Sequence, residues 1–451
     1  MTPGKEEPRA EGTGDCCTFD ERSLRHEEAV ALLQQLIVPL PEREKFSVFD
    51  ATGRVCAEDI AAPRSIPGHA NAAVDGYAFG FEEYDLKAGK IFPIVGRAAA
   101  GEPLQTGSVT HGAIRIFTGA VMPDGCDTVA MQEDCRVEGS SSVFVPGGIK
   151  RGANRRLAGE DVMAGATILA PGQRLRPQDA AALAACGRHE LRCFRKPRIA
   201  VFSTGNEVLP PGALFHEGKI YDANGPMLSG LLAPLAEISF KGILPDSRDA
   251  VRNALEAAAL NHDAIVTSGG ASLGDEDHVI AALKNGHSLS LWRLAIKPGR
   301  PMGVGKIGSC FCFALPGNPV AVMVCAILYV WPALRRLGGE PWIEPQRLVL
   351  PAGFEIRSRK QGRREFLRGW LENKDGRIVV RKYERDGSGL ISSLRAASGL
   401  IEISESKLSV CVGEATHFLP FSAFGLLDQP PFFVQNDGGR KALTHGASSS
   451  L

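Results

Sequence analysis

The sequence predicts a multidomain α/β and β protein: a three-layer α/β domain with a mostly parallel sheet, β-rich inserted domains before it, and a small C-terminal β-barrel-like domain. Three observations lead there. Strand-like and helix-like runs alternate between Lys196 and Gly339, the signature of βαβ units. Residues 43 to 195 carry short apolar runs broken by Gly and Pro, which suits short strands and turns. Short strand runs return after Pro341, and 451 residues exceed what one hydrophobic core organises.

Residues 1–22 are polar and rich in Pro and Gly, without the apolar stretch of a secretory signal, and the tail at 426–451 is similarly poor in large apolar groups; both are expected to be disordered. In residues 23–42, Ala29, Leu32, Leu33 and Leu36 recur at helical spacing before Pro39. Within the β-rich region, strand runs are predicted at Phe92–Val95, Ala113–Phe117, Thr128–Met131 and Val143–Val145, and a helix from Pro177 to Cys186 with Pro177 in its first turn. The α/β region then reads as strand Ile199–Phe202, helix Pro226–Leu235, strand Phe240–Leu244, helix Ser247–Leu260 and strand Ala264–Thr267. Val320–Leu334 is the most apolar run, short for a bilayer and carrying Pro332, and reads as a buried helix. Strands Arg347–Leu350, Glu365–Trp370, Ile378–Lys382 and Val410–Val412 are predicted for the last domain.

Lys plus Arg and Asp plus Glu both number 51, so no net field draws the chain to nucleic acid or an anionic membrane, and any anion site must be local. The 11 cysteines lack paired CxxC spacing and read as buried reduced thiols. With the unremarkable N-terminus, this predicts a cytoplasmic protein. No H-E-x-x-H pattern is present, which weakens zinc hydrolase readings.

Ligands of open α/β sheets bind beyond the carboxyl ends of the strands, where three glycine-punctuated segments stand: Ser203-Thr204-Gly205-Asn206-Glu207, Ser268-Gly269-Gly270-Ala271-Ser272 and Leu315-Pro316-Gly317-Asn318-Pro319. Such segments let backbone N–H groups approach a phosphate. Asn318 also has a structural role open to it, capping the helix that starts at Pro319. Glu207, Asp246, Asp275, Glu276 and Asp277 lie beside these loops, a supply of oxygen ligands for Mg²⁺ on a phosphate substrate; helix capping is the competing account for Asp275. In the run from Trp292 to Pro301, strand parity puts Arg293, Ala295 and Lys297 on one face, with Arg300 beyond the turn, a local anion site. Asp75 precedes Gly76 and is either catalytic or the start of an Asx-turn. The mixed-charge stretches 154–161 and 363–368 are explained by surface salt bridging.

The segments NAAVDGYA, IRIFTGAVMPDGCDTVAMQED, GEDV, VFSTGNEV, IYDANGPML, SGGASLGDEDH, LAIKPGRPMG and LPGNPVAVM occur in one order between Asn71 and Met323, and the resemblance they carry covers roughly residues 23 to 425. Together they resemble molybdopterin molybdenumtransferase, the MoeA and gephyrin E-domain family. The resemblance implies an elongated, four-domain subunit divided into a linking β domain at 43–65 and 162–195, a β-rich inserted domain at 66–161, an α/β molybdopterin-binding domain at 196–340 on which the 23–42 helix packs, and a C-terminal β domain at 341–425. It implies a homodimer with the site between the α/β domain of one subunit and the β-rich domain of the other. The implied reaction consumes molybdate and adenylylated molybdopterin with Mg²⁺ and yields molybdenum cofactor and AMP. Carried over by motif, Asp75, Thr118, Glu207, Asp246, Asp277 and Lys297 are catalytic, with Glu207, Asp246 and Asp277 at the metal. Asp161, Ser203, Thr204, Gly205, Ser268, Gly269, Gly270, Arg293, Pro316, Gly317, Asn318, Pro319, Arg368 and Ser392 bind substrate. Two departures stand out: Arg293 occupies a position where the family usually has lysine, and Leu157 and Ala158 replace two cationic positions before GEDV. A gephyrin-type scaffold and a molybdopterin adenylyltransferase-like enzyme are the alternatives; the latter would be far shorter. Molybdopterin adenylyltransferase and molybdoenzyme-maturation proteins are the implied partners.

Overall fold

The computed structural model describes residues 23–105, 107–271, 278–284 and 288–426. The predicted terminal tails, apart from Leu426, lie outside them, as do Ser272, Asp275, Glu276 and Asp277. The chain forms two compact units, one of Glu42–Phe194 and one built from the segments up to Pro41 and from Arg195 onward.

The second unit begins with helix α1 (His26–Leu36) and contains a six-stranded sheet. Its strands are β1 (Arg198–Thr204), β2 (Glu237–Leu244), β3 (Ala264–Ser268), β4 (Ser288–Arg293), β5 (Pro301–Ile307) and β6 (Cys310–Leu315), in the order β2-β1-β3-β6-β5-β4. The first four in that order run parallel, and β5 and β4 complete the sheet antiparallel. Helices α2 (Asn224–Leu232), α3 (Arg248–Ala259) and α4 (His278–Lys284) connect them. Alternation along β1 shows why both faces are covered. Ile199 and Val201 join Leu33 of α1 and Leu228 of α2 in one core, while Ala200 and Phe202 join Leu255 of α3 and Leu283 of α4 in another. A sheet clad on both sides is the three-layer arrangement predicted, and it explains why β6 is apolar and buried at every position.

The apolar run near residue 320 is the central helix of this unit, Pro319–Leu337, the one helix among the described residues long and apolar enough to cross a membrane, and its most apolar window is 89% buried in protein. It contains one π turn, Ala326–Val330, just before Pro332. Proline lacks the N–H for the bond four residues back and its ring crowds that carbonyl, so a locally widened turn lets the helix continue past it.

The C-terminal sheet contains Leu348–Pro351, Arg364–Lys374, Arg377–Lys382, Gly399–Ile403 and Ala415–Pro420. The predicted strand at Val410–Val412 does not form: Val410 makes an isolated bridge to Ile356, and Ala415–Pro420 supplies the strand instead. The 292–301 run is also corrected. Arg293 ends β4 of the α/β sheet, whereas Ile296–Lys297 pairs with Arg364–Glu365 of the C-terminal sheet. Leu294, Ala295 and Ile296 are all buried while Arg293 and Lys297 are exposed, because the chain changes sheets there and the two-residue periodicity is lost.

In the Glu42–Phe194 unit, Arg43–Ser47, Glu190–Phe194 and Val55–Cys56 form a three-stranded sheet, packed under the helix Pro177–Ala185 through Leu183. A six-stranded sheet holds Gly76–Phe79 between Thr128–Met131 and Ala113–Ile116, with one apolar core on each face. Seven of the nine described cysteines are buried, Cys411 is exposed and none is in a disulfide. Burial pushes Cys193 and Cys325 up to about 12, so these thiols are inert at neutral pH.

Candidate functional site

The three strand-end loops converge. Thr204 Oγ1 donates to the Ser268 carbonyl at 3.2 Å, and Gly269 N–H donates to the carbonyls of Leu315 and Pro316 at 2.9 and 3.3 Å. Gly269 has φ +96°, and a Cβ there would lie 2.3 Å from Thr204 Oγ1, so only glycine permits this approach. The bonds also sort the loops by what they can still offer. In the first loop the Gly205 N–H is spent on the Leu244 carbonyl and the Asn206 N–H on Asp246 Oδ2. Among the described residues, the N–H groups of Gly270, Ala271, Gly317 and Asn318 have no protein acceptor. Of the three loops from which an anion cradle is expected, the second and third are therefore the ones that each keep two consecutive unbonded amides among the described residues. Asn318 occupies the N-cap position of the central helix, yet its side chain makes no capping bond; its backbone carbonyl accepts from Val322 N–H.

Those four residues line a cavity of about 560 Å³ with Lys297, Pro298, Pro316, Phe366 and Arg368 of the C-terminal sheet's long strand, and Gly387 of a following loop. Arg368 is 3% exposed. Its Nε donates to Ser393 Oγ at 2.9 Å and its Nη2 to the carbonyls of Arg385 and Gly387, each at 3.2 Å. Among the described residues no carboxylate lies within hydrogen-bonding or ion-pairing distance, and burial lowers its pKa against the longer-range pull of Asp386, which also lines the cavity. A guanidinium out of water and held only by neutral acceptors is a site for an anion. Lys297 reaches Glu365 Oε1 at 3.5 Å and is half exposed at the rim. Arg293 is exposed and does not line this cavity. Ser392 lies 3.4 Å from the Tyr383 hydroxyl, and the serine that holds Arg368 is its neighbour Ser393.

Glu207 and Asp246 follow the adjacent parallel strands β1 and β2. Asp246 and Asn206 exchange two bonds, Asn206 N–H to Asp246 Oδ2 at 2.8 Å and Asp246 N–H to Asn206 Oδ1 at 3.2 Å. The Glu207 carboxylate folds over Gly205, whose Cβ, if present, would lie 2.4 Å from Glu207 Oε2. Among the described residues neither acid pairs with a cation, and two carboxylates at adjacent strand ends are oxygen donors of the kind a hard divalent ion takes. No group of three metal-binding side chains occurs among the described residues.

In the other unit, Gly76 packs so closely on Ala130 that a Cβ would fall 1.8 Å from that carbonyl oxygen. This fixes Asp75 at the strand's start, where its Oδ1 accepts from Thr118 N–H at 2.7 Å and Thr118 Oγ1 at 2.8 Å. Those two bonds hold the Asp75 carboxyl below its usual range, with help from Arg115. The Asx-turn alternative is not realised, since the partner is 43 residues away. Asp161 is exposed in the same unit.

Residues 24–187 match the model of the MoeA N-terminal region (domain I and II), 200–336 that of a probable molybdopterin binding domain, and 350–421 that of the MoeA C-terminal region (domain IV). A molybdopterin molybdenumtransferase of Haemophilus influenzae is 34% identical over 394 residues, 87% of this chain and 96% of the relative. The chain belongs to the molybdopterin molybdenumtransferase family. A Mycobacterium tuberculosis relative, molybdopterin molybdenumtransferase 2, is 30% identical over 86% of this chain and 96% of its own length. The crystal structure of the molybdopterin biosynthesis moeA protein from Pyrococcus horikoshii superposes with a TM-score of 0.76 at 30% identity, covering 88% of this chain and 99% of that one.

For this molybdopterin molybdenumtransferase family member, the sequence missed several residues that build the site. Buried Asp222 accepts from Ser203 Oγ at 2.8 Å and from the N–H groups of Asn224 and Gly225, each at 3.0 Å, so it caps α2. Asn224 Nδ2 donates to Ser268 Oγ and to the Gly317 carbonyl, each at 2.6 Å. Both lie in the IYDANGPML segment, and an Asp two residues before a helix start is the signal that points to the cap. The 363–368 stretch, read as surface salt bridging, is corrected: Arg364 is largely buried and joins Glu402, Glu405 and Glu27, and Arg368 faces the cavity.

Proposed function

We propose that the protein inserts molybdenum into adenylylated molybdopterin, consuming molybdate and releasing AMP, with Mg²⁺ and as a homodimer. The observation that carries this is the cavity lined by Gly270, Ala271, Gly317 and Asn318, whose N–H groups have no acceptor among the described residues, together with the buried Arg368 guanidinium. Backbone donors and a planar guanidinium suit a tetrahedral oxyanion, whether phosphate or molybdate. Lys297 at the rim adds charge where the departing AMP phosphate becomes more negative. Glu207 and Asp246 are the residues that would hold Mg²⁺, which supplies neutralisation of phosphate charge. The Asp277 carboxylate would join them. Asp75, kept ionised by Thr118, supplies a carboxylate that remains an acceptor at neutral pH. The full-length likeness to relatives named molybdenumtransferase favours this reading over the shorter adenylyltransferase alternative.

The test is release of AMP from adenylylated molybdopterin by the purified protein with Mg²⁺, measured with and without molybdate. Release that depends on molybdate supports the proposal; no release, or equal release without molybdate, refutes it. Sedimentation of the purified protein at twice the 48.1 kDa chain mass tests the dimer.

A further inference from the structure

We propose that Asn224 is a positioning residue for anion binding, setting the width of the gap between the second and third strand-end loops. This rests on the reading of the cavity as the substrate's phosphate site.

The side chain is anchored before it reaches the loops. Asp222 ties the start of α2 to the end of β1 through Ser203 Oγ and holds the Asn224 N–H itself. From that fixed point the two amide hydrogens of Asn224 go to Ser268 Oγ and to the Gly317 carbonyl. A carbonyl only accepts, so the amide nitrogen must face Gly317, which settles the orientation of the group. One planar amide thus spans from the last residue of β3 to the tip of the third loop, where a Cβ built on Gly317 would lie 4.0 Å from the Gly269 Cα. The N–H groups that have no acceptor among the described residues sit within three residues of these two anchor points, at Gly270 and Ala271 and at Gly317 and Asn318. Moving either anchor changes the separation of the two donor pairs.

The arrangement has a cost. Asn224 Oδ1 is buried and has no partner among the described residues. A group chosen for stability alone would not leave a buried acceptor unpaired; a group chosen to hold two donor loops at a set distance can. The side chain therefore serves the spacing of the cradle. Aspartate has nearly the same shape as asparagine but presents oxygen where Gly317 needs a donor, so the loops should part. Protonated aspartic acid regains one donor.

The experiment is calorimetric titration of the full-length protein with AMP, comparing wild type, N224D and N224A, each first checked for a cooperative melt. Both variants should bind AMP about tenfold or more weakly, the loss expected when hydrogen bonds to a charged group are misplaced. N224D should recover relative to wild type as the pH falls from about 7 toward about 5, approaching the ordinary carboxyl range, whereas N224A should not. Wild-type-like affinity in both variants, or no selective pH recovery in N224D, overturns the inference and leaves the reading of the cavity intact. Variants that fail to fold overturn it too, because the residue would then serve the fold. Absence of AMP binding by wild type removes the reading and the inference together.

Discussion

Replacing Arg368 is the perturbation whose consequences can be worked furthest. The guanidinium is 3% exposed and makes three hydrogen bonds, to Ser393 Oγ and to the carbonyls of Arg385 and Gly387. Arg368→Met fills similar space with an apolar chain. It deletes three bonds worth about 0.5–1.5 kcal/mol each, but it also relieves the desolvation of a cation that lacks a carboxylate partner. Ser393 Oγ keeps its own acceptor, the Leu390 carbonyl. The net loss of stability should be about 1–3 kcal/mol. Binding should suffer more in proportion: losing a charge-assisted bond of about 1.5–3 kcal/mol weakens an oxyanion roughly tenfold to a hundredfold. Arg368→Lys keeps the charge without the fork that reaches three acceptors, so its affinity should fall between the two. Thermal melts and calorimetric titration with molybdate check both parts. Molybdate affinity of Arg368→Met within about twofold of wild type, a difference of about 0.4 kcal/mol, would refute the assignment of the guanidinium to the anion.

Other perturbations test separate steps. Asp75→Asn should abolish AMP release without lowering the melting temperature, because its partner Thr118 is exposed; retained activity would remove Asp75 from the chemistry. Gly269→Ala should cost about 1–3 kcal/mol, since φ is +96° and the new Cβ would fall 2.3 Å from Thr204 Oγ1; denaturant unfolding reads it. Burial alone would raise the pKa of Asp263, yet bonds from Arg195 and the Arg198 N–H outweigh it and hold it below the usual value. A carboxyl depressed in the folded state stabilises above its unfolded pKa of about 3.9 and loses that contribution as pH falls through its folded pKa. The gap in stability between wild type and Asp263→Asn should therefore be full near neutral pH and shrink below about pH 4. Tyr329→Phe removes the hydroxyl 3.1 Å from His26 Nδ1 in a buried cluster, where Arg347 Nη2 faces Nε2 and therefore assigns the ring proton to Nδ1. It should cost about 1–3 kcal/mol, read by chemical denaturation.

Much of the fold was legible because it rests on local pattern. The parallel strands, their glycine-rich ends and the apolar central helix follow from periodicity and turn chemistry, each written in a short window of sequence. Two failures have one cause. Arg293 and Lys297 were expected on one face because strand parity presumes a single sheet, and the chain leaves one sheet for another between them. Val410–Val412 was expected to be a strand, but strand partners are chosen by distant segments, and Ala415–Pro420 takes the place. In the site, glycine-rich loops were visible as a class. Which amides remain free was not, because Gly269 spends its N–H on Leu315, which lies 46 residues on in the chain. Asn224 was hidden for the same reason, since its two partners come from other strand ends.

The most direct test of the account is anomalous scattering at the molybdenum edge from crystals soaked with molybdate and AMP. The predicted result is a molybdenum peak in the cavity between the Gly270–Ala271 and Gly317–Asn318 amides and the Arg368 guanidinium. A peak confined to another part of the protein, with this cavity empty under the same soak, would contradict it.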